Sequence, residues 1–274
     1  MLISMPDLVL LAEGREAEVF LRSDGSVLKL LRESTYGPRA EREAAALRIL
    51  NADGYSAPKL LDLVTVNGRR GIVTERIDGE NLLVLLGRNP LSIFWAGRTI
   101  GRAHAEMHQV QAPHDLPDLH DDLRRRIDIA PHLPDDLREF ALNVLVKLPH
   151  GDRLCHGDFH LGNLLGSWSA PFVIDWGDAS RGDPIADVAR TDLLQRLGEL
   201  PPGAPAHVKF LAPIGRKLLA DRYLAAYRRR HPVDPEELER WKVVWAAARL
   251  LEPIPAEHPK LIRFLEQRLS PNAW

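Results

Sequence analysis

The sequence reads LCHGDFHLGNLL at residues 154–165 and FVIDW at residues 172–176. Asp158 and Asn163 lie five positions apart in a glycine-containing loop, and Asp175 ends an apolar, strand-like run. A loop with Asp and Asn, followed by a hairpin that ends in Asp, can bring three oxygen-bearing side chains together. Oxygen ligands of this kind suit the hard cation Mg²⁺. Each residue alone would also fit an ordinary turn, but the ordered set favours a site.

The residues before this stretch predict a small antiparallel sheet. Apolar runs predict strands at residues 8–12, 17–22, 26–31, 60–66 and 69–77, the last two joined by the hairpin dipeptide Asn67-Gly68. One helix is predicted at residues 39–50, and further helices at 82–86, 93–110, 137–148 and from 184 onward. The order predicts an α+β protein with lobes at residues 1–77 and 78–274, and a ligand cleft at their joint.

Composition excludes several classes of protein. The chain has 274 residues, is 45% hydrophobic and carries a formal net charge of -2, so it lacks the basic footprint of a nucleic-acid binder. No apolar run is long enough for a membrane span, and the N-terminus does not read as a signal peptide. The single cysteine, Cys155, allows no internal disulfide. We therefore expect a cytoplasmic protein without membrane or nucleic-acid partners, of open oligomeric state.

Lys29 stands out because it interrupts the apolar strand at residues 27–31. A charge in such a strand needs a partner or a ligand, unless it lies on the solvent side. The helix that follows offers Glu41 or Glu43. Glu43 is favoured because Leu47 and Leu50, four and seven positions later, share its face.

The two motifs, followed by Gly182-Asp183-Pro184 and Asp187, closely resemble the aminoglycoside phosphotransferase and choline kinase-like family. His-Gly-Asp stands where protein kinases have His-Arg-Asp, and Ile174-Asp175-Trp176 resembles their Asp-Phe-Gly segment. The resemblance runs in weaker form over residues 8–195. It implies the two-lobed protein kinase-like fold, with a five-stranded antiparallel sheet and one helix in the N-terminal lobe and a larger, mainly helical C-terminal lobe.

The resemblance also implies an activity and roles for the motif residues. A family member transfers the γ-phosphoryl group of ATP, or of another nucleoside triphosphate, with Mg²⁺ to a hydroxyl of a small molecule. Asp158 would be the catalytic base or orient the hydroxyl, and Asn163 and Asp175 would bind magnesium. Lys29, fixed by Glu43, would hold the α- and β-phosphates of the nucleotide in the N-terminal lobe.

Two N-terminal segments match the kinase scheme less well. Gly14 and Ala17 occupy the place of the glycine-rich loop, but the segment has one glycine where protein kinases have three, and Glu16 would be unhelpful near phosphate. Glu75 and Ile77 fall where the lobe hinge should be. Their backbone would bond the nucleotide base, or they simply end a strand.

Four further residues accompany the motifs. His156 is expected to order the loop rather than to donate protons, and Asp187 to bond the backbone of that loop. His160 would face phosphate or substrate, or be a surface histidine. Asp178 could bind a second ion or the substrate, although a solvated loop position is favoured.

Other polar groups are expected to be structural. His104 and His108 have a metal-binding spacing, but no third ligand is evident, so packing and solvent contact are favoured. Residues 124–126, all arginine, and Asp122 are expected on solvated surfaces, and Trp241 and Trp245 in a core stripe of a helix.

The acceptor is the least constrained part of the interpretation. From Asp183 to the end, the chain has 15 lysines and arginines against 12 aspartates and glutamates. A polycationic aminoglycoside would prefer an acidic pocket, so this balance disfavours such an acceptor, unless a local cluster such as Glu252 and Glu257 outweighs it. An atypical protein kinase and a nucleotide-binding pseudokinase that acts as a binding module remain the alternatives.

Overall fold

The computed structural model describes residues 8–32, 38–198 and 206–270. Five strands form one antiparallel sheet in the order β1-β2-β3-β5-β4. They are β1 (Val9–Glu13), β2 (Ala17–Leu21), β3 (Val27–Leu31), β4 (Leu60–Val66) and β5 (Arg69–Thr74). Asn67 and Gly68 turn the β4–β5 hairpin with positive φ, as the dipeptide predicts. The predicted sheet is confirmed, except that β5 ends at Thr74, because its pairing with β4 ends at Leu60.

The helix of the sheet region is α1 (Arg39–Asp53), which packs against β4 and β5. Its buried face includes Ala44, Leu47 and Leu50, and Glu43 is the charged residue among them. The helix ends at Gly54, whose φ of 73° is the left-handed conformation that favours glycine at this position. The helix thus carries a buried carboxylate towards the sheet, on the face that the leucine spacing predicts.

The rest of the described chain is mainly helical, as predicted. Its helices are α2 (Leu82–Arg88), α3 (Ile93–Met107), α4 (Leu119–Asp128), α5 (Asp135–Leu145), α6 (Pro184–Leu197), α7 (Ala206–Tyr227), α8 (Pro235–Arg249) and α9 (His258–Leu269). The predicted ends of α3 and α5 at residues 110 and 148 were too late, because Val110 and Leu148 close short turns onto Met107 and Leu145. None of the helices described here combines the length and apolarity needed to cross a bilayer.

Two small sheets of two strands each lie within the helical part. Strand β6 (Arg153–Cys155) pairs with β9 (Ser180–Gly182), and β7 (Leu164–Gly166) pairs with β8 (Pro171–Val173). All four strands are antiparallel in their pairs. They place both sequence motifs in the loops between strands, so that the motifs rest on a fixed frame.

Helices α3 and α7 pack closely because α3 presents glycines to α7. A Cβ added at Gly97 would lie 2.6 Å from the Cβ of Arg222, and one added at Gly101 would lie 2.8 Å from the Cβ of Ala226. Real Cβ atoms do not approach so closely, so glycine sets this helix spacing. On α8, Trp241 and Trp245 are buried, which confirms the predicted core stripe.

We predict that Gly101→Ala destabilises the fold by about 1–3 kcal/mol, because the added methyl group overpacks the α3–α7 contact. Urea unfolding followed by circular dichroism measures the change. Gly87→Ala in α2 is the matched control, since a Cβ there meets no atom within 4 Å. The control should be neutral or more stable by up to about 1 kcal/mol, because alanine favours helix. Equal stability of the two variants would contradict this account of the helix contact.

Candidate active site

Gly157 shapes the loop that carries Asp158. The loop leaves β6 at His156, passes through a 3₁₀ turn at Leu161–Asn163 and enters β7. Gly157 has a φ of 79°, and a Cβ there would lie 2.6 Å from the carbonyl oxygen of Asp178. A side chain is excluded both by conformation and by space. The glycine of the motif therefore lets the loop pack against the segment after Asp175.

Asp187, in the first turn of α6, holds the backbone of this loop. Its carboxylate accepts the amide hydrogens of His156 and Gly157, at 2.5 and 3.0 Å. Asp187 is fully buried. Burial alone would raise its pKa, but hydrogen bonds from His104 and His108 hold the pKa well below the usual value. The geometry is the one expected for Asp187 from the sequence.

The expectation that His104 and His108 pack inside the protein is confirmed, but solvent contact and the lack of a third group were wrong. Both histidines are buried rather than in contact with solvent, and Asp187 is a third group beside them. Their Nε2 atoms lie 3.1 and 3.5 Å from one Asp187 oxygen, and their Nδ1 atoms bond the hydroxyls of Tyr223 and Tyr227. Neutral histidines can accept from these tyrosines, and His104 donates to Asp187, whereas His108 Nε2 makes no well-formed hydrogen bond in the described part of the chain. The sequence could not reveal it, because Asp187 is about 80 residues away.

His156 connects the two motifs. Its Nδ1 accepts the amide hydrogen of Asp158 at 3.1 Å, and its Nε2 lies 3.0 Å from the carbonyl oxygen of Ile174. The proton is therefore on Nε2, and burial lowers the pKa of His156. A neutral histidine with both nitrogens bonded to backbone orders the loop and has no proton to offer a ligand.

Asn163 and Asp175 are tied to the same frame. The side-chain NH₂ group of Asn163 donates to the backbone carbonyl oxygen of Asp158 at 3.0 Å. The backbone carbonyl of Asn163 accepts the amide hydrogen of Ile174 at 2.9 Å. This leaves the side-chain oxygen of Asn163 for another partner. Asp175 has a φ of 67°, unusual for a residue other than glycine, and about half of its side chain is exposed. Strained backbone at an exposed carboxylate is common at functional positions.

Lys29 crosses from the sheet to Asp175. Its Nζ lies 2.8 Å from Glu43 and 2.6 Å from Asp175, and Glu43 is only 5% exposed. Glu41, the alternative, instead pairs with Arg70 at the surface. Burial opposes the charge, but the two carboxylates outweigh it and raise the pKa of Lys29, so the amine is protonated. The structure thus brings a cation, two acids and the second motif to one point.

Two cationic or polar groups hold the Asp158 carboxylate. His160 Nε2 lies 3.3 Å from one of its oxygens, and Arg190 Nη2 lies 3.3 Å from the other. Burial alone would raise the pKa of Asp158, but the hydrogen bond from His160 and the charge of Arg190 lower it below its usual range. His160 therefore borders the Asp158 carboxylate, with 40% of its side chain exposed. Asp158 remains ionised.

Arg190 was missed by the sequence reasoning. It lies on α6 one turn after Asp187, and its side chain is only 4% exposed. The available signal was this spacing: a residue three positions after an inward-facing aspartate shares its helix face. That signal predicts burial of Arg190, but it cannot say that Asp158 is the partner.

The expectation of a solvated Asp178 was also wrong. Its carboxylate bonds Arg39 at 3.0 Å and Arg126 at 2.9 Å, and only 13% of the side chain is exposed. Arg126 and Asp122, likewise expected on a solvated surface, bond one another and are mostly buried. The reason is that α4 turns this face towards the segment after Asp175, so acids and arginines pair inside the protein.

The segment in the place of the glycine-rich loop is a tight turn between β1 and β2. The Gly14 amide donates to the Ala17 carbonyl at 2.9 Å, so this amide is already used. Glu16 bonds Arg39, which offsets its charge. In the hinge segment, Glu75 and Ile77 lie beyond the end of β5. The Glu75 carbonyl and the Ile77 amide have no hydrogen-bond partner among the described residues.

The comparison with family models decides the classification. The model described as the phosphotransferase enzyme family matches residues 7–191, which is more than half of the chain. The chain belongs to this family. Searching curated protein sequences gives no match. The kinase-like arrangement of Lys29, Glu43, Asp158 and Asp175 lies within the residues that the family model covers.

Solved structures of the family share the fold of this chain at low sequence identity. An aminoglycoside-3'-phosphotransferase of type VIII is 18% identical with a TM-score of 0.62, covering 86% of this chain and 92% of its own. The streptomycin-ATP-APH(2")-IIa ternary complex is 20% identical with a TM-score of 0.60, covering 97% and 92%. The macrolide 2'-phosphotransferase MphH from Brachybacterium faecium is 20% identical with a TM-score of 0.57. The match covers 97% of this chain and 92% of MphH. The predicted kinase-like fold is confirmed.

The buried histidines give this family member a pH-dependent stability. Burial lowers the pKa of His108 to about 3, against about 6.5 in an unfolded chain. A depressed pKa means that the stability of the neutral form is complete above pH 6.5 and is lost as the pH falls towards 3. We predict that His108 alone lowers the free energy of unfolding by up to about 1.4 kcal/mol per pH unit below pH 6.5.

Urea unfolding between pH 7.5 and pH 5 measures this slope. His108→Gln should reduce it, because the titrating group is removed. His114→Gln, at an exposed position, is the matched control and should retain the wild-type slope. A slope that His108→Gln leaves unchanged would assign the acid sensitivity to other groups.

Proposed function

We propose that this protein transfers the γ-phosphoryl group of ATP, with magnesium, to a hydroxyl of a small molecule. One observation carries the proposal: Lys29 of the sheet is joined to Asp175 of the second motif at 2.6 Å, next to the loop of Asp158. A nucleotide between residues 1–77 and residues 78–274 would meet all of these groups. These two parts would then be the nucleotide-binding lobe and the catalytic and acceptor-binding lobe.

Lys29 would hold the α- and β-phosphates of the nucleotide. Glu43 is buried and fixes the amine from the other side, so the charge stays in place when Asp175 turns to a metal ion. The free backbone groups of Glu75 and Ile77 are suited to the base of the nucleotide. Gly14 and Ala17 would do no more than shape the turn above the phosphates, because the Gly14 amide is bonded to Ala17.

The donor set fits magnesium. Asp175 offers its second carboxylate oxygen, and Asn163 offers its side-chain oxygen because its nitrogen is bonded to the Asp158 carbonyl. Both are hard oxygen ligands, and magnesium commonly takes one or two protein ligands besides phosphates and water. Magnesium bound there would supply positive charge to the phosphates of the nucleotide.

Asp158 would orient the acceptor hydroxyl and accept its proton. About a third of its side chain is exposed, which leaves it accessible to an acceptor. His156 and Asp187 fix the backbone around it, and His160 and Arg190 hold its oxygens. In phosphoryl transfer most of the rate gain comes from positioning and charge. A prearranged carboxylate on a buried frame meets the first of these needs.

A cytoplasmic location belongs to the same proposal. The supply of ATP favours it, and the one cysteine, Cys155, is buried and unpaired.

We predict that Asp158→Ala keeps nucleotide affinity within about threefold and lowers transfer by at least about a hundredfold, since general base catalysis and alignment are lost. ADP formation is measured with the best acceptor from a panel of antibiotics and metabolites, and nucleotide binding by calorimetry. Asp152→Ala, an exposed aspartate on the neighbouring strand connection, is the control. Near-normal turnover of Asp158→Ala would remove the assigned role. If the wild type bound ATP but showed no turnover, the pseudokinase alternative would be favoured. If it turned over peptides alone, the protein kinase alternative would be favoured.

Asp175→Ala tests the metal-binding role separately. We predict that the variant loses at least about tenfold in ATP affinity in the presence of magnesium and changes little in its absence, because a cation ligand is lost. Calorimetry with magnesium and with a chelator gives both values. An equal loss under the two conditions would assign Asp175 to positioning Lys29 rather than to the metal.

A further inference from the structure

Arg190 lies against the catalytic carboxylate from the side of the C-terminal helices. Lys29 approaches Asp175 from β3, whereas Arg190 approaches Asp158 from α6. The guanidinium also contacts Glu252, just after α8, and its carbon lies 4.7 Å from the ring centre of Trp245. Trp245 and Glu252 therefore fix a buried positive charge at the place where an acceptor must bring its hydroxyl.

The hydrogen bonds of Arg190 are few and long. Its contacts with Asp158 and Glu252 are all 3.3 Å, whereas charge-assisted hydrogen bonds are usually 2.7–2.9 Å. Its Nε–H is buried and, in the described part of the chain, has no partner. An arginine has five donors, so this one retains hydrogen-bonding capacity for a further partner. Its charge acts on whatever binds beside Asp158.

Apart from Glu43 and Asp175, which share Lys29, the neighbouring carboxylates of Glu252, Glu257 and Asp178 are paired with arginines. Glu252 also bonds Arg249 at 2.9 Å, and Glu257 bonds the same arginine at 2.6 Å. On the other side, Asp178 bonds Arg39 and Arg126. An ammonium group on an acceptor would have to displace one of these arginines. Breaking a buried ion pair leaves an uncompensated charge and is strongly unfavourable.

We propose that the acceptor is an uncharged or acidic hydroxyl compound, and that Arg190 is the residue that excludes cationic acceptors. This inference rests on the proposed function, because it concerns the second substrate of the same site. Like charges placed together across an interface are a direct means of rejecting a ligand. Polycations such as streptomycin and gentamicin, which occur in complexes of structural neighbours, belong to the rejected class.

Calorimetric titration of the full chain with streptomycin and with gentamicin tests this proposal. We expect the wild type to bind both no more tightly than the millimolar range. Arg190→Gln should bind them at least tenfold more tightly, because Glu252 and Asp158 are then available to ammonium groups. The gain should shrink as the salt concentration rises. Arg190→Lys keeps the charge and should keep the exclusion, which a purely structural role of the guanidinium would not predict.

Arg196→Gln is the matched control. Arg196 lies on the same helix but pairs with Asp192 and Asp221, and its loss should leave antibiotic binding unchanged. In a panel of hydroxyl compounds grouped by charge, those that raise ADP production should be uncharged or acidic. Micromolar binding of either antibiotic to the wild type, or a polycation as the best acceptor, would overturn the proposal. Failure of the wild type to bind ATP in the same instrument would instead count against the proposed function.

Discussion

The site depends on the hydrogen bonds that the buried carboxylate of Asp187 accepts. This carboxylate accepts two backbone amides of the loop that carries Asp158, and it is fully enclosed. Such a charge is tolerable inside a protein only when several donors surround it. His104 of α3 adds a donor at 3.1 Å, His108 lies next to it at 3.5 Å, and both are held by tyrosines of α7. The position of the loop is therefore fixed partly by α3 and α7, which are distant from both motifs along the chain.

A second constraint couples the sheet to this frame. Lys29 is in the central strand β3, and its charge is shared between Glu43 of α1 and Asp175 of the second motif. The amine of Lys29 is held between two carboxylates. If Asp175 turned to bind a ligand, Glu43 would still hold the amine. The same arrangement explains why a lysine can lie in an apolar strand. Its burial is offset by charge on both sides.

The charges around Asp158 differ in character from those around Lys29. At Lys29, two acids, Glu43 and Asp175, surround a cation, which under the proposed function would meet phosphate and metal. At Asp158, arginines from α1, α4 and α6 neutralise the acids of the acceptor side, among them Asp178 and Glu252. On the proposed function, one end of the site would take a nucleotide with its cation, and the other an acceptor that brings no positive charge. The shared fold of the family does not fix this second property.

The sequence by itself determined the elements with short-range signals: the Asn67-Gly68 hairpin, the five strands, the α8 core stripe and the choice of Glu43 over Glu41. These depend on side-chain period and turn chemistry, which act over a few residues. The family could also be recognised from the sequence, because each of its two motifs is a continuous run of residues. Only the tertiary structure decided the partners of Asp187, Asp158 and Asp178. Apart from His160, which lies in the same loop as Asp158, these partners are on other elements and about 30 or more residues away. Burial of a charge becomes favourable only after helix packing has brought its counter-charge alongside.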